Sequence, residues 1–165
     1  MVNDTSGLRA DARLAVVARR HDVPLVLMHM RGTPLTMQQL APAKNIWREI
    51  ERGLTWSVRQ AQKAGLRRTQ LVIDPGIGFG KTVAQNFEIL RGLRRLEKFN
   101  LPVLIGTSRK SFIGKTLDNA PADQRLLGTA ASVTAAILAG AHMVRVHDVS
   151  EMVQVARITD SLLRP

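Results

Sequence analysis

Polar side chains follow the predicted strands of this sequence, and their types suit the binding of a flat, charged molecule. They are Asn3-Asp4, Met28-His29-Met30, Asp74, Ser108-Arg109-Lys110-Ser111 and Arg145-Val146-His147-Asp148. Arg145 and His147 stand one residue apart in a predicted strand, so they share a face and could clamp an anion. The alternative is that Arg145 and His147 are an ordinary surface pair that binds no ligand. Asp74 and Asn3 offer an acid beside an amide, which suits a heterocycle with adjacent amino and N–H groups.

Four further residues could complete such a site. Lys110 adds a hydrogen-bond donor, and Met28 and Phe79 could cover the faces of a planar ring. Met28 is equally well explained as a core residue. Ser111 stands at the predicted start of a short helix, where free N–H groups attract a carboxylate.

The glycine-rich turn after Asp74 has three competing interpretations. The segment from Gly76 to Thr82 nearly matches a phosphate-binding P-loop, but Pro75 stands where the first glycine is needed. A dinucleotide fingerprint fails because its last glycine comes one residue early. A glycine turn that binds no ligand is the alternative to all three. The third, a floor for the flat ligand, depends on the rest of the chain.

Strands and helices alternate along the chain, which predicts an α/β fold with parallel strands. Strands are expected at the start, at 24–30, 71–74, 102–106 and 142–147. Helices are expected at 8–21, from about Trp47 to Gly65, at 83–99, 122–139 and 149–163. In the last helix, Met152, Val155, Ile158 and Leu162 are predicted to face inward. A (β/α) barrel with its site at the carboxyl ends of the strands is favoured, and a doubly wound open sheet is the alternative.

Composition limits the function classes. The chain has 165 residues, 45% of them hydrophobic, and a formal net charge of +11. Aromatic residues make up only 4%, and none interleaves with the arginines, so nucleic-acid binding is not expected. The positive field suits a small anionic substrate instead. No apolar run is long enough for a membrane span, and the absence of cysteine fits a reducing compartment, so a cytoplasmic protein is predicted.

Six segments resemble the dihydropteroate synthase family, in the order in which that family has them. They are Val2-Asn3-Asp4-Thr5-Ser6-Gly7, Met28 to Pro34, Thr36-Met37-Gln38, Asp74 to Lys81, Ser108 to Ser111 and Arg145-Val146-His147-Asp148-Val149. The resemblance implies a transferase of folate biosynthesis that joins p-aminobenzoate to 6-hydroxymethyl-7,8-dihydropterin diphosphate. It also implies about five strand–helix units of a TIM (β/α)8 barrel.

The resemblance implies roles for the matching residues. Those expected to bind the pterin are Asn3, Met28, Asp74, Phe79, Gly106 and Lys110. Arg145 and His147, with Asn3, are expected to bind the diphosphate, and Ser111 with Phe79 the p-aminobenzoate. Lys110, Arg145 and His147 are the expected catalytic residues. Mg²⁺ is expected to assist the leaving group. The family's metal ligand is expected to lie in the missing amino-terminal part, so no metal ligand is expected in this chain. A zinc site at His29 and His147 is disfavoured for want of a further ligand.

The chain is shorter than the roughly 250 residues of a full barrel. We therefore expect residues 1–165 to be a single pterin-binding domain that lacks about three units at its amino end and has little activity alone. The family also implies a homodimer. Two other classes stay open: another pterin-binding barrel, of the corrinoid methyltransferase type, and a non-catalytic remnant that binds a pterin.

Overall fold

Five parallel strands form the centre of the computed structural model, which describes residues 1–37 and 39–163. Gln38, part of the Thr36-Met37-Gln38 segment, lies outside the described residues. The strands are β1 (Val2–Asp4), β2 (Leu25–Met28), β3 (Leu71–Asp74), β4 (Leu104–Ile105) and β5 (Met143–Val144).

Each strand lies beside its neighbours in sequence. β1 pairs with β2, β2 with β3, and β4 with β5, all in parallel, and an Ile73–Val103 bridge links β3 to β4. A doubly wound sheet would reverse its strand order partway along. The order observed here is that of a partial (β/α)8 barrel, so the predicted barrel is confirmed and the open-sheet alternative is wrong.

Six helices follow the strands. They are α1 (Arg13–Arg20), α2 (Ile46–Lys63), α3 (Val83–Arg91), α4 (Ser111–Thr116), α5 (Leu126–Leu138) and α6 (Val149–Leu163). The longest, α2, begins where the Asn45 side chain accepts the backbone N–H of Arg48 at 2.9 Å. Its apolar stripe is buried in the main core and consists of Trp47, Ile50, Leu54, Val58 and Ala61. No helix of the described residues is long and apolar enough to cross a membrane.

The two faces of the sheet bury different clusters. The face toward the helices carries Leu25, Leu27, Leu71 and Ile73, which belong to the main core with α2 and α3. The opposite face carries a small separate cluster of Val26, Val72, Leu104 and the partly buried Met143. Because side chains alternate along a strand, this small cluster marks the barrel interior.

Several predicted elements are shorter in the structure; the strands predicted at 24–30 and 102–106 cover Leu25–Met28 and Leu104–Ile105, and the helix predicted at 122–139 covers Leu126–Leu138. The helix predicted at 83–99 ends at Arg91, and residues Leu93–Phe99 form a 3₁₀ segment. Gly92 lies at the junction of these two segments, where an added Cβ would lie 2.9 Å from the Trp47 ring and crowd it. The first helix begins at Arg13 instead of Leu8, because the Asp4 carboxylate accepts the N–H groups of Ser6 and Leu8 and holds a turn there. The last strand covers only Met143–Val144.

The inward face predicted for the last helix is only half right. Met152 is buried and Val155 half-buried, as expected, but Ile158 and Leu162 are 67% and 72% exposed. α6 packs chiefly against α5, and it does so through the face that carries Met152 and Thr159. Ile158 and Leu162 lie to the side of that face, where no described element covers them.

Candidate active site

Strand register places five of the predicted site residues on the interior face. Asn3 pairs with Val26, and Met28 pairs with Asp74, so these side chains share the face of the interior cluster. Leu104 pairs with Met143, and Gly106 and Arg145 follow two residues later on the same face. The carboxyl ends of the strands therefore bring an amide, a thioether, a carboxylate and a guanidinium to one mouth.

Asp74 is the most deeply buried acid of this mouth, with 2% of its surface exposed. One carboxylate oxygen accepts the backbone N–H of Gly76 at 2.6 Å, and the other has no hydrogen-bond partner among the described residues. Burial raises the pKa of Asp74, while the Gly76 N–H and the charges of Lys110, Lys81 and Arg145 oppose that rise. The second oxygen is available to accept hydrogen bonds from a ligand.

The glycine turn is packed tightly against the end of β2. Gly76 and Gly80 have φ values of +72° and +67°. A Cβ on Gly76 would overlap the carbonyl oxygen of His29, and one on Gly80 would lie 2.6 Å from the carbonyl oxygen of Arg31. Only glycine fits both positions, so the turn is rigidly placed beside Asp74.

Lys81 ties this turn together, a role that the sequence analysis missed. Its Nζ donates to the carbonyl oxygens of Gly76 at 2.8 Å, Phe79 at 3.1 Å and His29 at 3.2 Å. Burial lowers the pKa of Lys81 to about 7. All three donors of the ammonium are used within the protein, so Lys81 does not act as a P-loop lysine. The only signal in the sequence was its place at the end of the glycine run.

Lys110 and Phe79 form one wall of the mouth. The Lys110 ammonium lies 4.5 Å from the centre of the Phe79 ring, and it also donates to the carbonyl of Ile77. Burial lowers the pKa of Lys110 to about 8, and the charge of Asp74 partly opposes this. A flat ring between Asp74 and Phe79 would meet an acceptor at its edge and a cation nearby.

Arg145 and His147 lie at the outer part of the mouth, and both are exposed. Gly106 leaves space for the guanidinium, because a Cβ there would lie 3.1 Å from Nη2 of Arg145. Nδ1 of His147 lies 2.9 Å from Oγ of Ser108, which also accepts the backbone N–H of His147 at 3.1 Å. Ser108 therefore fixes the imidazole. Arg145 and His147 together offer hydrogen-bond donors to an anion.

The loop after β4 is tied to the end of β5. Arg109 forms an ion pair with Asp148, and Nη1 of Arg125 donates to the Arg109 carbonyl at 2.7 Å. This ion pair lowers the pKa of Asp148 through the hydrogen bond from Arg109. α4 starts at Ser111 directly after this loop, so the predicted helix start is confirmed, and Ser111 itself is exposed.

His29 and His147, the two histidines considered for a zinc site, lie in different surroundings. His29 follows Met28 and so points to the other face of β2, where it is buried, whereas His147 is exposed. In residues 1–37 and 39–163, no group of three or more His, Asp or Glu side chains could hold a metal ion. His142 has a structural contact instead, since its Nδ1 accepts the backbone N–H of Val103 at 3.2 Å.

Comparison with known proteins gives consistent matches. Residues 1–147 match the family described as pterin binding enzyme. The chain is 43% identical to the dihydropteroate synthase of Synechocystis sp. and 37% identical to that of Escherichia coli K12. In both cases the match covers 99% of this chain and 57% of the relative, so the chain spans little more than half the length of these relatives.

Solved structures with the same arrangement were also found. A dihydropteroate synthase from Clostridium difficile, crystallised in the presence of pteroic acid, superposes with a TM-score of 0.90 and 39% identity over 100% of this chain and 60% of that one. The Thermus thermophilus enzyme in complex with 6HMPPP gives a TM-score of 0.90 at 36% identity, over 98% of this chain and 64% of that one.

Proposed function

This chain belongs to the pterin-binding enzyme family, and from that premise we propose that it carries the pterin and diphosphate sites of a dihydropteroate synthase. The reaction joins p-aminobenzoate to 6-hydroxymethyl-7,8-dihydropterin diphosphate and releases diphosphate. One observation carries the proposal. Asn3, Met28, Asp74, Gly106 and Arg145 fall on one interior face, at the same end of five parallel strands.

The pterin would lie between Asp74 and the glycine turn. The unpartnered oxygen of Asp74 would accept from the amino and ring N–H groups of the pterin edge, and Asn3 and Lys110 would add a further amide and a donor. Met28 and Phe79 would cover the two faces of the ring. The backbone of Gly106 would complete the wall, because it has no side chain to fill the space.

The reaction would proceed by loss of diphosphate. The bond between the pterin methylene carbon and the diphosphate oxygen breaks, the amine nitrogen of p-aminobenzoate bonds to that carbon, and the amine releases a proton. Negative charge develops on the leaving oxygen. Arg145, His147 and Lys110 would act as the catalytic residues, since preorganised cations and donors stabilise such charge strongly in a partly dry site.

The p-aminobenzoate site and the metal complete the proposal. Ser111 and Phe79 would contact the aminobenzoate, supported by the position of Ser111 directly after Lys110 at the mouth. Mg²⁺ would accompany the diphosphate and offset its charge. The described residues do not supply a metal-binding cluster, so they do not fit the role of a metal cage and no step above depends on the ion.

A homodimer is part of the proposal. An apolar groove of about 620 Å³ lies between α3, α4 and α5, and Leu90, Phe112 and Leu138 line it. Covering this groove with a second copy would remove apolar surface from water. Light scattering tests it, with Leu138→Glu expected to shift dimer to monomer. The cytoplasmic location and the single pterin-binding domain stay predictions.

Calorimetry with the dihydropterin diphosphate tests the main proposal. We expect one saturable site, and dihydropteroate formation that requires both substrates wherever turnover is measurable. An absence of pterin binding would contradict the proposal. An Arg145→Gln variant that keeps full affinity for the diphosphate form would instead favour a pterin-binding barrel of the corrinoid methyltransferase type.

A further inference from the structure

A second cavity, of about 490 Å³, lies on the helix side of β2, outside the barrel mouth. Its wall is formed by the loop after β1, the loop after β2 and the first half of α2. Three arginines and one acid line it, together with a histidine and a tryptophan. These six residues are Arg9, His29, Arg31, Glu49, Arg52 and Trp56.

The arginines of this cavity are not neutralised equally. Arg31 is fixed by Glu49 at 2.7 Å and donates to the carbonyls of Ala41 and Gly80 at 3.0 Å. Arg9 donates to backbone carbonyls and to Ser57, and has no ion pair within 4.0 Å among the described residues. Arg52 is exposed and has neither an ion pair nor a hydrogen bond in that part of the chain. Two positive charges are therefore left over.

Arg9 is exposed at the rim of the cavity, although part of its side chain is covered by Trp56 and the loop after β1. This partial burial lowers its pKa, and the charge of Asp4 only partly offsets the change. Taking a cation out of water is unfavourable unless an anion or several acceptors compensate it. An anion bound in the cavity would supply the missing charge to Arg9 and Arg52 together.

The remaining wall consists of a buried histidine and a flat aromatic surface. His29 is 5% exposed, and its Nδ1 is a fully buried atom without a hydrogen-bond partner in residues 1–37 and 39–163. Burial and the charges of Lys81 and Arg9 lower the pKa of His29 to about 2, so the imidazole is neutral and the arginines are the positively charged groups that face the cavity. Trp56 is 41% exposed, with the Arg9 guanidinium 4.6 Å from its ring centre.

We propose that this cavity is a second ligand site, which binds a small phosphate monoester carrying a flat ring. A phosphate monoester has a charge of about −1.5 to −2 at neutral pH, which matches the two surplus positive charges. A cavity of 490 Å³ falls within the size range of small-molecule sites and has room for a ring beside Trp56. The proposal does not depend on the function proposed for the barrel mouth.

Phenyl phosphate and inorganic phosphate are the probes for this site. The chain contains two tryptophans, and Trp47 is buried in the main core, so a change in intrinsic fluorescence reports chiefly on Trp56. We expect phenyl phosphate to quench this fluorescence saturably and to bind more tightly than inorganic phosphate. Equal affinities for the two probes would overturn the assignment to a ring-bearing monoester.

Two matched variants separate this site from other anion sites. Arg52→Gln should weaken phenyl phosphate binding about tenfold, the loss expected for one charge-assisted hydrogen bond. Arg59→Gln removes the same charge two turns along the same face of α2 and should leave binding unchanged. Arg52 and Arg59 are both exposed, so neither change should affect folding.

The barrel mouth also attracts anions, so Arg145→Gln is the third variant. It should leave the fluorescence response to phenyl phosphate intact. Loss of the response in Arg145→Gln but not in Arg52→Gln would overturn the proposal, because the ligand would then occupy the barrel mouth. Equal weakening by Arg52→Gln and Arg59→Gln would also overturn it, since it would show only a general attraction of anions to a basic protein.

Discussion

Asp74→Asn should have opposite effects on ligand binding and on folding. The buried carboxylate uses one oxygen to accept the Gly76 N–H and leaves the other for the pterin. In the variant, the amide oxygen can keep the bond to Gly76, while the amide nitrogen replaces the free acceptor. The pterin edge would then face a donor where it needs an acceptor.

The size of the binding effect follows from the lost hydrogen bond. A hydrogen bond to a charged group contributes about 1.5 to 3 kcal/mol, which corresponds to a roughly 10- to 150-fold loss of affinity. The variant also removes a negative charge close to Lys81, Lys110 and Arg145. We therefore expect the dissociation constant of a pterin to rise by at least about tenfold.

The effect on stability has the other sign. Burial raises the pKa of Asp74 in the folded protein, even with the neighbouring cations present. The folded state therefore binds a proton at this carboxyl more readily than the unfolded chain. The stabilisation that comes from this bound proton is lost as pH rises through the folded pKa of Asp74. Above the unfolded pKa, the titration of Asp74 therefore opposes folding, so Asp74→Asn should leave the free energy of unfolding at neutral pH unchanged or higher.

Asp4→Asn is a matched control at the end of β1. Both oxygens of Asp4 accept backbone N–H groups, Oδ1 from Ser6 at 2.8 Å and Oδ2 from Leu8 at 2.5 Å. An amide nitrogen must face one of these donors, so this variant should destabilise folding by about 1 to 3 kcal/mol and spare pterin affinity.

Calorimetric titration with 6-hydroxymethylpterin and urea unfolding followed by circular dichroism measure the two effects. An Asp74→Asn variant that is destabilised while keeping its pterin affinity would refute the reasoning.

Three further predictions follow from the same contacts. Gly76→Ala should destabilise folding by at least about 2 kcal/mol in urea unfolding, because a positive φ and a clash with the end of β2 combine. Gly140→Ala should cost only about 1 kcal/mol, since its φ is also positive but its Cβ would meet only Glu97, at an ordinary contact distance. Arg145→Gln should weaken calorimetric binding of the pterin diphosphate about tenfold and spare the pterin without diphosphate; equal losses for both would contradict the clamp. Burial lowers the pKa of Lys110 to about 8 in the folded protein, so above that pH the unfolded chain binds more protons and the free energy of unfolding rises with pH. Lys110→Met should flatten this rise between pH 8 and 10 in urea unfolding. An unchanged slope would contradict this prediction.

The barrel order was predictable because strands and helices alternate without hairpin signals. The polar residues after each strand could also be assigned to one end of the sheet from sequence alone, because parallel strands share their carboxyl edge. What the sequence could not give was the register. Met28 shares a face with Asp74 because the two residues pair in the register of β2 and β3. A slip of one residue in that register would turn the Met28 side chain to the opposite face of the sheet relative to Asp74.

Contacts between distant segments explain what the sequence analysis missed. The close approach of the Trp47 ring to Gly92, at the end of α3, joins two segments that lie far apart in the chain. The role of Lys81 depends on carbonyls that only the folded turn and the end of β2 bring within reach. In α6, the periodic apolar residues predicted a buried stripe, but periodicity cannot tell which neighbours cover it.

A crystal structure of the chain with bound 6-hydroxymethylpterin tests the central claim most directly. The pterin edge is expected to donate to the free oxygen of Asp74, with Met28 and Phe79 on opposite faces of the ring. A pterin bound in the arginine-lined cavity beside Trp56, or anywhere away from Asp74, would contradict it.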